Sequence, residues 1–240
     1  RYTNQAAYGL GGTVSNVRIV KGTALYTSNF TPSTTPLTAV SGTQLLTCQS
    51  SSFKDNSING YTVSSAGTAS VQAFNPFGQS VAYNPTVNGA SAYFSGGTYS
   101  TNGTSVWNSL EVANTAQLRF GTSSDFTIEC WAYLGSTQTS VLICDAVVDE
   151  GTGNNVGWYV YVGTDRTVNF GATGTNYITP PYIPAFNSWF HFALVRSSGT
   201  TTMYINGVSS GSTSSSINMS AATDVRSDTP WMIGCLEHYY

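Results

Sequence analysis

The sequence predicts an all-β fold, a sandwich or barrel of short antiparallel strands, and three observations predict it. Only 8% of the 240 residues are Asp, Glu, Lys or Arg, against about 25% in an average soluble domain, and Gly, Ser, Thr, Asn and Tyr fill the difference. Thr, Val, Tyr and Phe gather in short runs with apolar and polar residues alternating, and such side chains pack well on a pleated, half-buried surface. Asn-Gly pairs punctuate the runs as tight turns, and no periodic block of helix formers occurs.

In chain order, the first strand pattern is VSNVRIVKGTALY at 14–26, where Val14, Asn16, Arg18 and Val20 alternate with Val17 and Ile19. TPSTTPLTAVSGT at 31–43 sets Pro32, Pro36 and Gly42 among Ser and Thr with no apolar period, and reads as a linker or domain seam. NPFGQSVAYNPTVNGAS (75–91) and SSGSTSSS (209–216) read as loops, the second flexible by composition. SDFTIECWAYL at 124–134 puts Phe126, Ile128, Cys130 and Ala132 on one face and Thr127, Glu129, Trp131 and Tyr133 on the other. GWYVYVG (157–163) and SWFHFALVR (188–196) repeat the pattern, and TTMYINGVSSG (201–211) reads as a hairpin turned by Asn206-Gly207. Asn59-Gly60, Asn88-Gly89 and Asn102-Gly103 are further turn signals. The alternation predicts a core of Phe126, Ile128, Val160, Phe190, Phe192, Leu194, Met203 and Ile205.

Composition also excludes partners. A net charge of -3 with 8 Lys plus Arg leaves no basic stripe for phosphates, so nucleic acid is not expected. Apolar stretches are strand-sized, far short of the roughly 20 residues of a spanning helix, so no membrane is expected either. No secretory signal pattern opens the chain, and Arg1 in place of Met points to a fragment or processed product. Cys48, Cys130, Cys144 and Cys235 lack paired C-x-x-C spacing and read as small buried hydrophobes, with a Cys130–Cys144 disulfide left open.

Taken in order, QLLTCQSSSFKDNSINGYTVSSAGTASV, ASAYFSGGTYS, SDFTIECWAYL, SWFHFALVRSSGTTTMYINGVSSGS and WMIGCLEHYY resemble a laminin-G-like jelly roll of the concanavalin A-like lectin and glucanase superfamily. With NVRIVKGTALYTSNFTP the chain looks most like repeats in marine phage and cyanophage tail-fibre and structural proteins. The resemblance implies an antiparallel β-sandwich jelly roll. In that family the strand resembling NVRIVKGTALY closes the domain, yet here it opens the chain. Residues 1–40 are therefore expected to be the closing strand segment of a preceding module, the chain being a window on a tandem array, or a strand that completes this or a neighbouring copy by strand addition, with 44–240 a module lacking its own last strand.

Candidate chemistry is sparse. Glycosidases of the superfamily need two carboxylates on one strand face, but Glu129 is the only carboxylate in a strand that alternates cleanly and the E-x-D-x-x-E type motif is absent, so no enzyme is expected. Gly207-Val-Ser-Ser-Gly211 matches G-x-S-x-G in letters, although Ser209 leaves a hairpin and no helix follows. Cys235 and His238 have half a zinc spacing, and His191 reads as a hydrogen-bonded structural histidine. No cofactor is expected, with one exception: Asp145, Asp149 and Glu150, followed by Asn154 and Asn155 in a Gly-rich loop, offer oxygen ligands for calcium, which some laminin-G-like relatives bind at the sandwich rim. For sugar binding, Trp107, Tyr177 and Tyr182 stand in polar or Pro-rich connections beside Asn108, Asn154, Asn155 and Asn176, whereas Trp131, Trp158 and Trp189 fall in strands and read as core.

These expectations describe a non-catalytic binding or structural module of a phage virion, a tail-fibre or decoration repeat attaching to host-surface glycan or to other virion or surface-assembly subunits. A bacterial extracellular adhesin or filament repeat is the alternative, and a glycoside hydrolase the more remote one. The expected location is the virion or the extracellular space.

Overall fold

The computed structural model describes residues 9–78, 89–96, 108–113, 115–135, 140–149, 154–163, 165–172, 175–178, 185–219, 230–235 and 237–239. Among the described residues sixteen strands are formed: β1 Gly11–Lys21, β2 Thr43–Thr47, β3 Val63–Ala66, β4 Ser70–Gln72, β5 Ser91–Ser95, β6 Ser109–Val112, β7 Phe126–Leu134 and β8 Ser140–Asp149, followed by β9 Asn154–Val162, β10 Val168–Ala172, β11 Thr175–Ile178, β12 Trp189–Ser197, β13 Thr200–Ile205, β14 Val208–Thr213, β15 Trp231–Ile233 and β16 Glu237–Tyr239. One sheet runs β14-β13-β12-β7-β1-β5-β4, with β2 also on β1; the other runs β11-β10-β9-β8-β15-β6-β3, with β16 on β8. Among the described strands every pairing is antiparallel except β16 on β8. This is a two-sheet sandwich, one of the two architectures that composition and alternation allow and the one the family resemblance implies.

The core lies between the sheets, and all eight residues read from the alternation are buried in it. Trp158 and Trp231 meet edge to face at its centre, ring centroids 4.8 Å apart. Asn206 and Gly207, with φ of 51° and 76°, turn β13 into β14 as the Asn-Gly pair predicts. Gly207 is doubly constrained, since a Cβ there would lie 1.8 Å from the Phe30 carbonyl oxygen. The second arm of the predicted hairpin runs further than read: strand β14 continues through Ser212 and Thr213, inside the 209–216 stretch read as flexible loop, and pairs with β13 up to Thr213. Backbone pairing on a neighbour overrides the weak strand preference of Ser and Gly.

The opening segment is the complementing strand of this same chain, β1. It sits inside its sheet, with β7 on one side and, on the other, β5 along Gly11–Val14 and β2 along Val17–Val20. The chain's own opening segment therefore fills an interior position among strands from 43–240, and the backbone of Leu10 also bonds to Gly234 and Gly96. Residues 22–42, read in part as a linker, instead lie as a strap across the outer face of this sheet: Leu37 is buried, and its N–H donates to Asn16 Oδ1. Cys130 belongs to the main core, whereas Cys144 packs with Val141, Met232 and Cys235 in a separate cluster, so a Cys130–Cys144 bridge is not supported.

Candidate functional site

The outer face of the β1 sheet concentrates the polar and aromatic side chains that the core rejects. Strict alternation would put Arg18 with Val14 on the core side. A bulge between Ser15 and Arg18, with Asn16 at φ 55°, adds a residue to β1 and reverses the facing beyond it. Val14, Val17 and Ile19 consequently line the core, and Arg18 turns outward opposite Glu129 of β7.

Four side chains converge there. Arg18 Nη2 and Nε donate to Glu129 Oε1 at 2.6 and 2.9 Å, the Tyr26 hydroxyl donates to Oε2 at 3.0 Å, and His191 Nε2 lies 3.1 Å from Oε2. Arg18 Nη1 also donates to the Thr38 carbonyl at 2.8 Å. Burial alone would raise the Glu129 pKa, but His191 and Arg18 outweigh it and hold the carboxyl below its ordinary value. An ionised carboxylate only accepts, so Nε2 of His191 carries the proton. Burial and the facing carboxylate push the Tyr26 hydroxyl well above the usual tyrosine value, which keeps it a donor.

The strap seals this cluster. Tyr26 stacks on Phe30 at 3.6 Å between centroids, Phe30 meets His191 and Tyr204 edge-on, Leu25 N–H donates to Thr127 Oγ1, and Phe30 N–H donates to the Gly207 carbonyl. Glu129 is fully buried. A carboxylate paired with Arg18 and shut from solvent can accept hydrogen bonds but has no access to a scissile bond.

Toward the other end of β7 the same face becomes aromatic. Tyr93, Thr13, Tyr133 and Trp189 stand in register across β5, β1, β7 and β12, with Ser15, Trp131 and His191 in the next row. Phe77 packs edge-on against Trp131, and Phe74 against Tyr133 and Trp189, so segment 74–77 roofs part of this row. Trp131 and Trp189, read as core, are thus half-buried outer-face residues beneath that segment. Trp158 is true core.

A family model described as the concanavalin A-like lectin/glucanases superfamily, of the third laminin-G type, matches residues 102–238, more than half of the chain. The chain belongs to that superfamily. Comparison with curated proteins and with solved structures returned no match. The matched span contains β7, β12 and β13 but not β1 or the strap, so the Arg18 and Tyr26 contributions to this lectin/glucanase-like domain come from outside it.

The residues read as candidates from the sequence fall elsewhere. Trp107, Tyr182 and Glu150 lie outside the described residues. Tyr177, on β11, packs beside Phe170 and against the core, more wall than open platform. Asp145, Asp149, Asn154 and Asn155 do not share a loop: β8 runs through Asp149 and β9 starts at Asn154, with Asp149 opposite Asn154 and Asp145 opposite Trp158. Long runs of small and polar residues look loop-like in sequence, and only the neighbouring strand draws them into a hairpin. Among the described residues no group of three His, Cys, Asp or Glu gathers as a metal site. Ser209 sits on β14 opposite Tyr204, with no helix after it among the described residues. Glu129 and His191 were legible individually, but their partners Arg18 and Tyr26 were not, being separated from Glu129 by 111 and 103 residues.

Proposed function

We propose that this concanavalin A-like domain is a non-catalytic binding and structural module, working as a repeat or decoration of a phage virion and adhering to host-surface glycan. The observation that carries the non-catalytic part is the Glu129 carboxylate, consumed by Arg18, Tyr26 and His191 and closed under the strap. The exposed end of the aromatic row supports the binding part, because aromatic faces beside hydroxyls and amides suit sugar rings. The phage setting rests on the resemblance of NVRIVKGTALYTSNFTP to virion repeats, and a bacterial surface adhesin built from the same module is the second setting. The test is incubation of the purified protein with glucans and agarose. No reducing ends are expected, and sustained release of reducing ends by the purified protein would replace this reading with that of a hydrolase.

A further inference from the structure

The second sheet carries a small buried cluster of its own, apart from the main core. Ile143 and Ile233 point into the core, so by alternation their neighbours Cys144 and Met232, opposite one another on β8 and β15, share the outer face. Val141, Cys144, Met232 and Cys235 are each no more than 2% exposed there, with Tyr159 and Tyr161 of β9 half-buried against them. The chain has four Cys and three Met, and three of those seven sulfur side chains meet in this one cluster. Packing alone asks for volume, not for sulfur.

The sulfurs converge because of register and one turn. Met232 stands directly opposite Cys144 across the antiparallel pair, where facing Cβ atoms lie about 4.5–5.5 Å apart. Gly234, at φ 95°, then turns the chain and brings Cys235 back over that pair. The Cys235 Sγ lies 3.8 Å from Met232 Sδ, and the Cys144 thiol donates to the Cys235 carbonyl at 3.1 Å. The turn demands glycine on a second count, since a Cβ at Gly234 would lie 2.6 Å from the Phe94 ring. Three sulfurs arranged trigonally around an ion, at the usual metal–thiolate length of about 2.3 Å, stand about 4.0 Å from one another. The Cys235–Met232 separation matches that edge.

We infer that Cys144, Met232 and Cys235 form a three-sulfur site for one soft monovalent metal ion, copper(I). The inference goes beyond the reading of the domain as a binding module and does not depend on it. Thiolate and thioether ligands together select copper(I), whereas calcium and magnesium take oxygen. Met232 supplies the third ligand that His, Cys, Asp and Glu do not provide here among the described residues. On binding, the two S–H protons pass to solvent and two sulfur–metal bonds replace them, Met232 adds a lone pair, and no oxidation state changes. The Cys144 Sγ rotates off the Cys235 carbonyl about one side-chain torsion to complete the trigonal set. Tyr159, opposite Cys144, and Tyr161, opposite Val141, are the half-buried side chains past which the ion enters. Once bound, it ties β8 to the end of β15, just before β16 pairs with Val147–Asp149.

The test is titration of the reduced full chain with copper(I) under argon, in competition with bicinchoninate, followed by X-ray absorption of the loaded protein. One equivalent is expected to pass from the competitor to the chain, with three sulfur neighbours at about 2.3 Å and a raised melting temperature. Cys144→Ala and Cys235→Ala should each weaken binding more than about a hundredfold, beyond the usual cost of losing an outer partner, and Met232→Leu about tenfold. The sulfur count on the wild type stands even where a variant fails to fold. Copper that stays with the competitor overturns the inference. Tight binding that survives both cysteine variants overturns it as well, as does a metal shell of two sulfurs or one of nitrogen and oxygen. Each of these outcomes leaves the binding-module reading standing.

Discussion

Arg18 Nη2 lies 2.6 Å from Glu129 Oε1, and the two meet on the outer sheet face only because the bulge at Asn16 reverses the facing of β1 between Val14 and Arg18. Both groups are out of water, so the pair is held together as much by the cost of separating it as by its attraction. Glu129→Gln is expected to destabilise the fold by about 3–5 kcal/mol, because it strands the Arg18 guanidinium without a counter-charge. The paired change Glu129→Leu with Arg18→Met should be clearly milder than Glu129→Gln alone. Urea unfolding of the wild type and both variants decides it, and a double variant worse than the single one contradicts the account.

The same carboxylate sets an acid limit. Its folded pKa is depressed, so between the folded value and the unfolded value of about 4.3 the unfolded chain binds more protons and stability rises with pH. The contribution is complete above that unfolded value and is lost as pH falls through the folded one. Urea midpoints measured from pH 7 to pH 3 should drop steeply below about pH 4 in the wild type and more shallowly in Glu129→Gln. Parallel curves for the two proteins would contradict this.

Phe192 is buried without exposure on β12, opposite Ile205 and Cys130. Phe192→Ala should cost about 3–5 kcal/mol as a cavity mutant. Phe192→Leu, which keeps much of the volume, should cost distinctly less in the same thermal or urea assay, and an equal loss would mean that the site tolerates no reshaping at all.

Nine of the eleven residues of β1 are buried, and its removal would expose the edges of β7, β2 and β5 together. Deletion of residues 1–30 is therefore expected to abolish the cooperative melting transition or to drive the chain into oligomers that borrow a strand. An unchanged melting temperature in a monomeric product would show that β1 does not complete the module formed by residues 43–240. The measurement is calorimetry paired with size-exclusion chromatography.

Much of the architecture is legible in the order of residues along the chain. Period-two alternation places Phe126, Ile128, Phe190, Phe192, Met203 and Ile205 in the core, and Asn206-Gly207 places a hairpin, because facing and turn geometry are properties of a few consecutive residues. The failures share a different cause. The bulge at Asn16 defeats alternation over Val14 to Arg18, Ser212 and Thr213 of the 209–216 stretch extend the hairpin strand only because β13 offers them partners, and the Pro-rich strap packs down because the outer face beneath it holds Glu129 and His191.

Local residue order therefore dictates the class of fold, the superfamily and the residues that line the core. Tertiary pairing decides that β1 lies between β7 and β5, that Arg18 and Tyr26 close on Glu129, and that Tyr93, Thr13 and Tyr133 stand side by side. The reason is range: facing and turns are set by neighbours in the chain, whereas these encounters join residues as far apart as Arg18 and Glu129, 111 positions along it, and depend on which strands pair.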